Sequence, residues 1–416
     1  MREAFENALR DNPDDLAGWC AFADWLVEQG DPLGEFMQVQ IALEDESRSK
    51  QERDRLKARE TELLKAHEPE WLGALAEYLI PPPEPDYSDP NYDWDAEPPP
   101  PRPRVAYRWE RGFLASLDVQ CMPVGLGQAV AATPASRLLH QLRIRASTHY
   151  HSVVDDQPPC APTPPGVQEH AGYFELLSSP CLDGIRVFRT GDDEDEPPED
   201  GWARSSSSHL DGLEHLLVAM PRAEEFHLLS NSIRLRTVFE SANLKSLRVL
   251  RAYHIGEERG PDGYHDYPLD VLAANPGFAN LTHLQFHPHF GLDRSFIPLA
   301  QVCALVNSPH LQKLTHLQLR LSDMGDDGVR EIIASGILKR LKWLDLRHGC
   351  ITDEGAKLFA ACPDAKGLER LDLSRNAVTT TGLATLRAVG INAVANSPQT
   401  QEELDDRQYL REGDFE

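Results

Sequence analysis

The chain has 416 residues and carries 41 basic against 67 acidic side chains, a formal net charge of −26. That length supports a large core, and that charge disfavours bulk attraction to nucleic acid or to an anionic membrane. No stretch approaches the roughly 18 apolar residues of a membrane span and the Met1 end, MREAFENALRDNPDD, lacks a secretory apolar run, so a cytoplasmic protein without membrane contact is expected.

Residues 1 to about 45 read as three helices, Arg2 to Arg10, Asp15 to Gln29 with Asp14 or Asp15 as the cap, and Gly34 to Leu43. Ser47 to His67 is a charged helical stretch whose sparse apolar stripe is Leu56, Leu63 and Leu64. Residues 1–78 are therefore expected to form a small all-helical module. Its acids Asp24, Asp31 and Glu35 could suggest a metal or acid/base site, but capping, a turn at Gly30-Asp31-Pro32 and solvation explain them better. Residues 79–104 are a proline-rich acidic linker, and similar loops run from Asp155 to Gly166 and from Asp192 to Asp200.

Residues 105–392 carry a repeat, followed by an acidic tail over 393–416. The pattern L-x-x-L-x-L occurs at Leu314-Thr-His-Leu317-Gln-Leu319, Leu341-Lys-Trp-Leu344-Asp-Leu346 and Leu368-Glu-Arg-Leu371-Asp-Leu373, at 27-residue intervals. Each copy precedes a turn and a short helical pattern, so strand and helix alternate. Weaker copies start at Leu114, Leu139, Leu182, Ala223 and Leu281, and one in Leu244-Lys-Ser-Leu247-Arg-Val249-Leu250 has an ambiguous register. Helical patterns fall at Val167 to Leu177, Leu210 to Met220 and Leu299 to Val306. A single strand–helix unit cannot cover its apolar face, so neighbours must stack into a continuous core. Asn376, and Asn231 in the corresponding place, are expected to satisfy buried backbone groups where the chain bends.

These repeats resemble the leucine-rich-repeat family, in its ribonuclease-inhibitor-like class. The string from Ala23 to Gln40, ADWLVEQGDPLGEFMQVQ, resembles the repeat-companion domain found at the N-terminus of leucine-rich-repeat proteins of planctomycete and myxobacterial type, and Trp109-Glu-Arg-Gly-Phe113 resembles the entry to their repeats. The resemblance implies an α/β fold, a curved solenoid with parallel strands on the concave side and helices on the convex side, used as a recognition surface. It also implies an alternative, regulation of a GTPase, because the repeats resemble those of GTPase-activating proteins.

On such a solenoid the outward strand positions line up across the concave face. The central row reads Asp118, Arg143, Arg186, His227, Arg248 or Arg251, Gln285, Gln318, Asp345 and Asp372. The rows beside it include Arg145, His287, Arg320 and Arg347 on one side and His283, His316, Trp343 and Arg370 on the other. Arginine and aromatic side chains concentrate binding energy, so Arg143, Arg145, Arg186, His283, His287, His316, Arg320, Trp343, Arg347 and Arg370 are the candidate partner-binding residues, for a protein with an acidic surface. The acidic stretch 192–200 could fold over them as a mask.

No phosphate-cradling glycine motif, H-E-x-x-H or G-x-S-x-G is present, so no catalytic residue, cofactor or metal is expected. The histidines at 283, 287 and 289, and those at 149 and 151 near Asp155 and Asp156, suit structural or interface roles better than metal ligation. The seven cysteines, Cys20, Cys121, Cys160, Cys181, Cys303, Cys350 and Cys362, include no C-x-x-C pair and read as reduced thiols. A non-enzymatic protein-binding scaffold is the function these features favour, with oligomeric state unspecified.

Overall fold

A computed structural model of the chain describes residues 1–81, 105–145, 172–191, 208–210, 212–231, 233–254, 267–288 and 296–406. They fall into two compact units, Met1–Ile185 and Arg186–Glu416. The proline-rich residues 82–103, the loops 155–166 and 192–200, and His149, His151, Cys160 and His289 lie outside the described residues, as does the side chain of Asn231. The expected mask over the open face therefore lies there too.

The first unit comprises α1 (Arg2–Asp11), α2 (Leu16–Glu28), α3 (Pro32–Leu43), α4 (Lys50–Leu72), α5 (Ala76–Leu79), β1 (Val105–Glu110), β2 (Phe113–Val119), α6 (Val124–Ala132) and β3 (Gln141–Ile144). Three of its helices, α2, α3 and α4, begin where short polar side chains accept orphan N–H groups. Asp15 accepts from the Gly18 amide, Asp31 from that of Leu33 with Pro32 opening the helix, and Ser49 with Glu52 forms a capping box. Asp24 takes a hydrogen bond from Gln38 at 2.7 Å, and Glu35 binds Arg59 through both oxygens, which holds its carboxyl below the ordinary range. The three acids thus do structural work.

Trp19, Phe22, Leu26, Phe36, Met37 and Leu63 form one buried cluster with Phe113 of β2. The helices therefore share a core with the β1–β2 hairpin. Its turn is Arg111-Gly112, both at positive φ as a two-residue hairpin turn requires. Gln40 accepts the Gly112 amide at 2.8 Å, Arg111 binds Glu44 through two hydrogen bonds, and a Cβ on Gly112 would strike Met37. The Trp109 to Phe113 motif is thus the turn that seats the hairpin on the helices. Nearby, Glu6 is buried between Arg2 at 3.1 Å and Arg137 at 2.8 Å.

The second unit runs β4 (Val187–Thr190), β5 (Ser208–His209), α7 (Leu213–Val218), β6 (Glu225–Asn231), α8 (Leu235–Glu240), β7 (Val249–His254), α9 (Leu269–Ala274), β8 (His283–Pro288), β9 (Ile297–Pro298), α10 (Leu299–Val306), β10 (His316–Leu319), β11 (Ser322–Asp323), α11 (Gly325–Ser335), β12 (Trp343–Asp345), α12 (Asp353–Ala361), β13 (Arg370–Asp372), α13 (Thr380–Ala388), β14 (Ala393–Val394) and α14 (Gln401–Asp406). Strands β4, β6, β7, β8, β10, β12, β13 and β14 lie side by side in that order, all parallel. Pairing aligns Phe188, Phe226, Leu250, Leu284, Leu317, Leu344 and Leu371 in one row, every one buried. Buried residues of the intervening helices, among them Val302, Ile332, Phe359 and Leu386, complete the layer.

That alignment moves one expected strand. Phe188, and not Ile185, stands in the apolar row, which puts Arg189 in the central row and leaves Arg186 ahead of β4. Leu182, Ile185 and Phe188 are spaced by three, so the L-x-x-L frame fits them twice, and Ile185 is itself fully buried at the end of a 3-10 turn. Leu244, Leu247 and Leu250 pose the same ambiguity, which pairing resolves in favour of Leu250, with Arg251 in the central row.

Two devices link successive repeats. Asn376 is fully buried, accepts the amides of Gly349 and Ile351 at 2.9 Å each, and donates to the carbonyls of Leu346, Leu373 and Ser374, as expected for this position. Asp326 accepts the amides of Thr352 and Gly355 and the Thr352 hydroxyl, and Asp353 repeats the arrangement on the amide and hydroxyl of Thr379. Leu321, His348 and Arg375, 27 residues apart, each take the left-handed conformation as their strand ends.

Candidate functional site: the open face of the sheet

Strand side chains alternate between faces, so burying the Leu284 row turns His283 and Gln285, and their counterparts, to the opposite face. In register, Glu225, Val249, His283, His316, Trp343 and Arg370 form one row there, and His227, Arg251, Gln285, Gln318, Asp345 and Asp372 the next.

Four neighbours in the first row make a continuous ladder. The His283 and His316 rings stack at 4.0 Å with 15° between planes, His316 meets Trp343 edge-on at 6.1 Å, and the Arg370 guanidinium lies 5.3 Å from the Trp343 ring centre. Thr282 and Thr315 each contact the Nδ1 of the histidine that follows at 2.9 Å, which fixes both ring planes. Burial depresses the pKa of both imidazoles. His316 and Arg251 add repulsion at His283, and Lys342 adds it at His316 against the pull of Glu369. Trp343 stands 41% exposed.

Most candidate arginines are already committed. Arg145 grips Asp118 with two bonds of 2.8 Å, Arg143 lies 3.9 Å from the same carboxylate, and both arginines are buried in the first unit. Glu224 is shared by Arg186 at 2.6 Å and Arg248 at 3.0 Å. Asp345 is shared by Arg320 at 3.5 Å and Arg347 at 2.8 Å, and Arg370 reaches Asp372 at 2.9 Å. His287 is fully buried with its ring edge-on to Tyr253 at 4.3 Å. Of the candidates, Trp343 and Arg370 are the most exposed, with His283 and His316 half-buried beside them.

Asp345 and Asp372 occupy neighbouring strands in register and are nearly fully buried. Burial first, and repulsion from Asp372 second, raise the Asp345 carboxyl to about 7 against the opposing pull of Arg320. Each acid also accepts the amide two residues on, Asp345 from Arg347 and Asp372 from Ser374, so the pair closes the turns that end the strands. No cluster of three or more His, Cys, Asp or Glu side chains suited to a metal occurs among the described residues.

Arg251 carries a signal that sequence reasoning left unresolved. It is exposed on the central row and makes no hydrogen bond or ion pair among the described residues, while its charge adds to burial, the larger cause, in lowering the pKa of both His227 and His283. The repeat frame alone could not choose between it and Arg248, and only strand pairing decides.

No curated protein matches the sequence. A crystal structure of a protein from Bacteroides fragilis is similar at 15% identity and a TM-score of 0.39, over 67% of this chain and 73% of that one. A leucine-rich-repeat protein of Leptospira interrogans is similar at 10% identity and a TM-score of 0.17, over 66% of this chain and 93% of that one. Residues 310–332, 341–360 and 368–386 match the family described as Leucine Rich repeat. Those segments cover β10 to α13, where the 27-residue spacing is regular, and they carry leucine-rich repeats.

Proposed function

We propose that the chain is a non-catalytic binding protein that holds a protein partner on the open face of the β6–β13 sheet. The observation that carries this reading is the ladder from His283 to Arg370, in which an exposed tryptophan and a guanidinium are held ready on rigid strands. Leucine-rich repeats generally serve protein–protein interaction, which supports the same reading. The acids of the face are engaged in strand-ending turns and ion pairs, so they read as scaffold and not as reagents.

The test is affinity capture with the intact chain, followed by binding measurements on the identified partner with two variants. Gln285→Trp fills the middle of the face, and Lys357→Ala alters an exposed helix position. Loss of binding with Gln285→Trp and retention with Lys357→Ala is expected, and the reverse would overturn the assignment.

A further inference from the structure

We infer that the partner offers an extended segment pairing a carboxylate with an aromatic side chain about four residues further on, the carboxylate at Arg251 and the aromatic ring on Trp343. The inference rests on the open-face reading and specifies its ligand.

Charge argues for the acid. The chain as a whole carries −26, yet on this face Glu224 and Asp345 are each divided between two arginines. Internal pairing therefore leaves guanidinium charge in surplus there. Arg251 adds a cation with no partner among the described residues, next to His227 and His283, whose pKa values are lowered mainly by burial, so that both are neutral at pH 7. An incoming carboxylate gains a charge-assisted hydrogen bond there without displacing a partner among the described residues.

Geometry argues for the aromatic and for the spacing. Trp343 is 41% exposed, with Arg370 over its ring and the Thr315-held His316 ring edge-on beside it, so little ordering is required for a second aromatic ring to pack on its exposed part. Three strand steps separate β7 from β12, and Arg251 lies two residues further along its strand than Trp343 does in the shared register. At about 4.8 Å per strand and about 3.4 Å per residue, the two anchors are about 16 Å apart, the reach of about four or five extended residues. An even spacing of four projects both side chains to the same side of an extended segment. Gln285 and Gln318 lie between the anchors on the central row, so the segment crosses uncharged positions between its two contacts.

The experiment uses the full chain and fluorescein-labelled peptides with the core Glu-Thr-Val-Thr-Trp, read by anisotropy. Replacing Glu by Gln or Trp by Ala in the peptide is expected to weaken binding by about tenfold each. Arg251→Glu is expected to lose the acidic peptide and prefer its Lys-Thr-Val-Thr-Trp counterpart, and Trp343→Ala to lose discrimination between Trp and Ala while Trp343→Phe keeps it. Both positions are exposed, and matching circular dichroism and melting profiles establish that the variants fold. Equal affinity for all peptides, or unchanged preference in Arg251→Glu and Trp343→Ala, overturns the inference. A protein partner lost with Gln285→Trp but retained by both anchor variants overturns it while leaving the open-face reading intact, whereas a partner indifferent to Gln285→Trp removes both.

Discussion

Asp326 accepts the Thr352 hydroxyl at 2.6 Å and the Thr352 amide at 3.0 Å, so an acid near the start of one helix supports the cap of the next. The bond is charge-assisted and crosses from repeat to repeat. In a stack where each unit contacts only its neighbours, such a contact contributes to the interface that makes unfolding cooperative. A double-mutant cycle with Asp326→Ala and Thr352→Val should return a coupling of about 1–2 kcal/mol in urea unfolding. Strict additivity would show the contact to be idle.

Gly355 makes a complementary prediction. Alanine in place of glycine usually favours a helix by about 1 kcal/mol, but a Cβ here would press on Asp326 Oδ1 and Ile351. Gly355→Ala should therefore destabilise by about 1–3 kcal/mol. Gly367→Ala, where nothing lies within 4 Å, should be neutral or slightly stabilising. Comparison of the two urea midpoints decides the point.

Asn376→Ala removes the acceptor of two buried amides and the donor to three carbonyls. A loss on the order of 3 kcal/mol is expected. Hydrogen exchange should localise the damage, with the Gly349 and Ile351 amides losing protection first. A variant as stable as the parent would remove Asn376 from the account of how the repeats hold together.

Asp345 makes stability depend on pH in an unusual direction. Its carboxyl titrates near 7 in the folded chain and near 3.8 in the unfolded one. Between those values the folded state holds the extra proton, so this group's contribution to stability declines as pH rises from about 4 to about 7. The stability of Asp345→Asn relative to the parent should accordingly improve across that window in urea titrations. A constant difference would contradict the raised pKa.

The stacked histidines act in the opposite sense. Their folded pKa values lie below the ordinary 6.5, so the unfolded chain takes up protons first and stability falls as pH drops below that value. Nuclear magnetic resonance titration should place both midpoints below 6.5. The midpoint of His283 should rise in His316→Gln, because a neighbouring cation can no longer form.

Strand positions in the last three repeats were legible because Leu317, Leu344 and Leu371 recur at a fixed interval and the helices between them are short and regular. Asn376 was legible for the same reason, its place in the repeat fixing its role. At Leu182 to Phe188 the frame failed, since three apolar residues at the same spacing offer two registers and only pairing with β6 selects one. On the face, residue type alone could not distinguish a presented arginine from a committed one. Arg143 and Arg145 were singled out by residue type although Asp118 stands next to Arg143 in the same row; what the row did not give was that this one carboxylate engages both arginines and that both are buried. His287 was misleading too, for it alternates outward yet is covered.

The acid–hydroxyl clamp has a direction. Asp326 reaches forward to Thr352 and Asp353 forward to Thr379, but the next place in the series, 27 residues on, is Thr380, which has no carboxylate to extend. Helix α13 thus receives a clamp and offers none, so the array is punctuated in its own chemistry, and lengthening it would require restoring an acid at 380 together with a whole further unit.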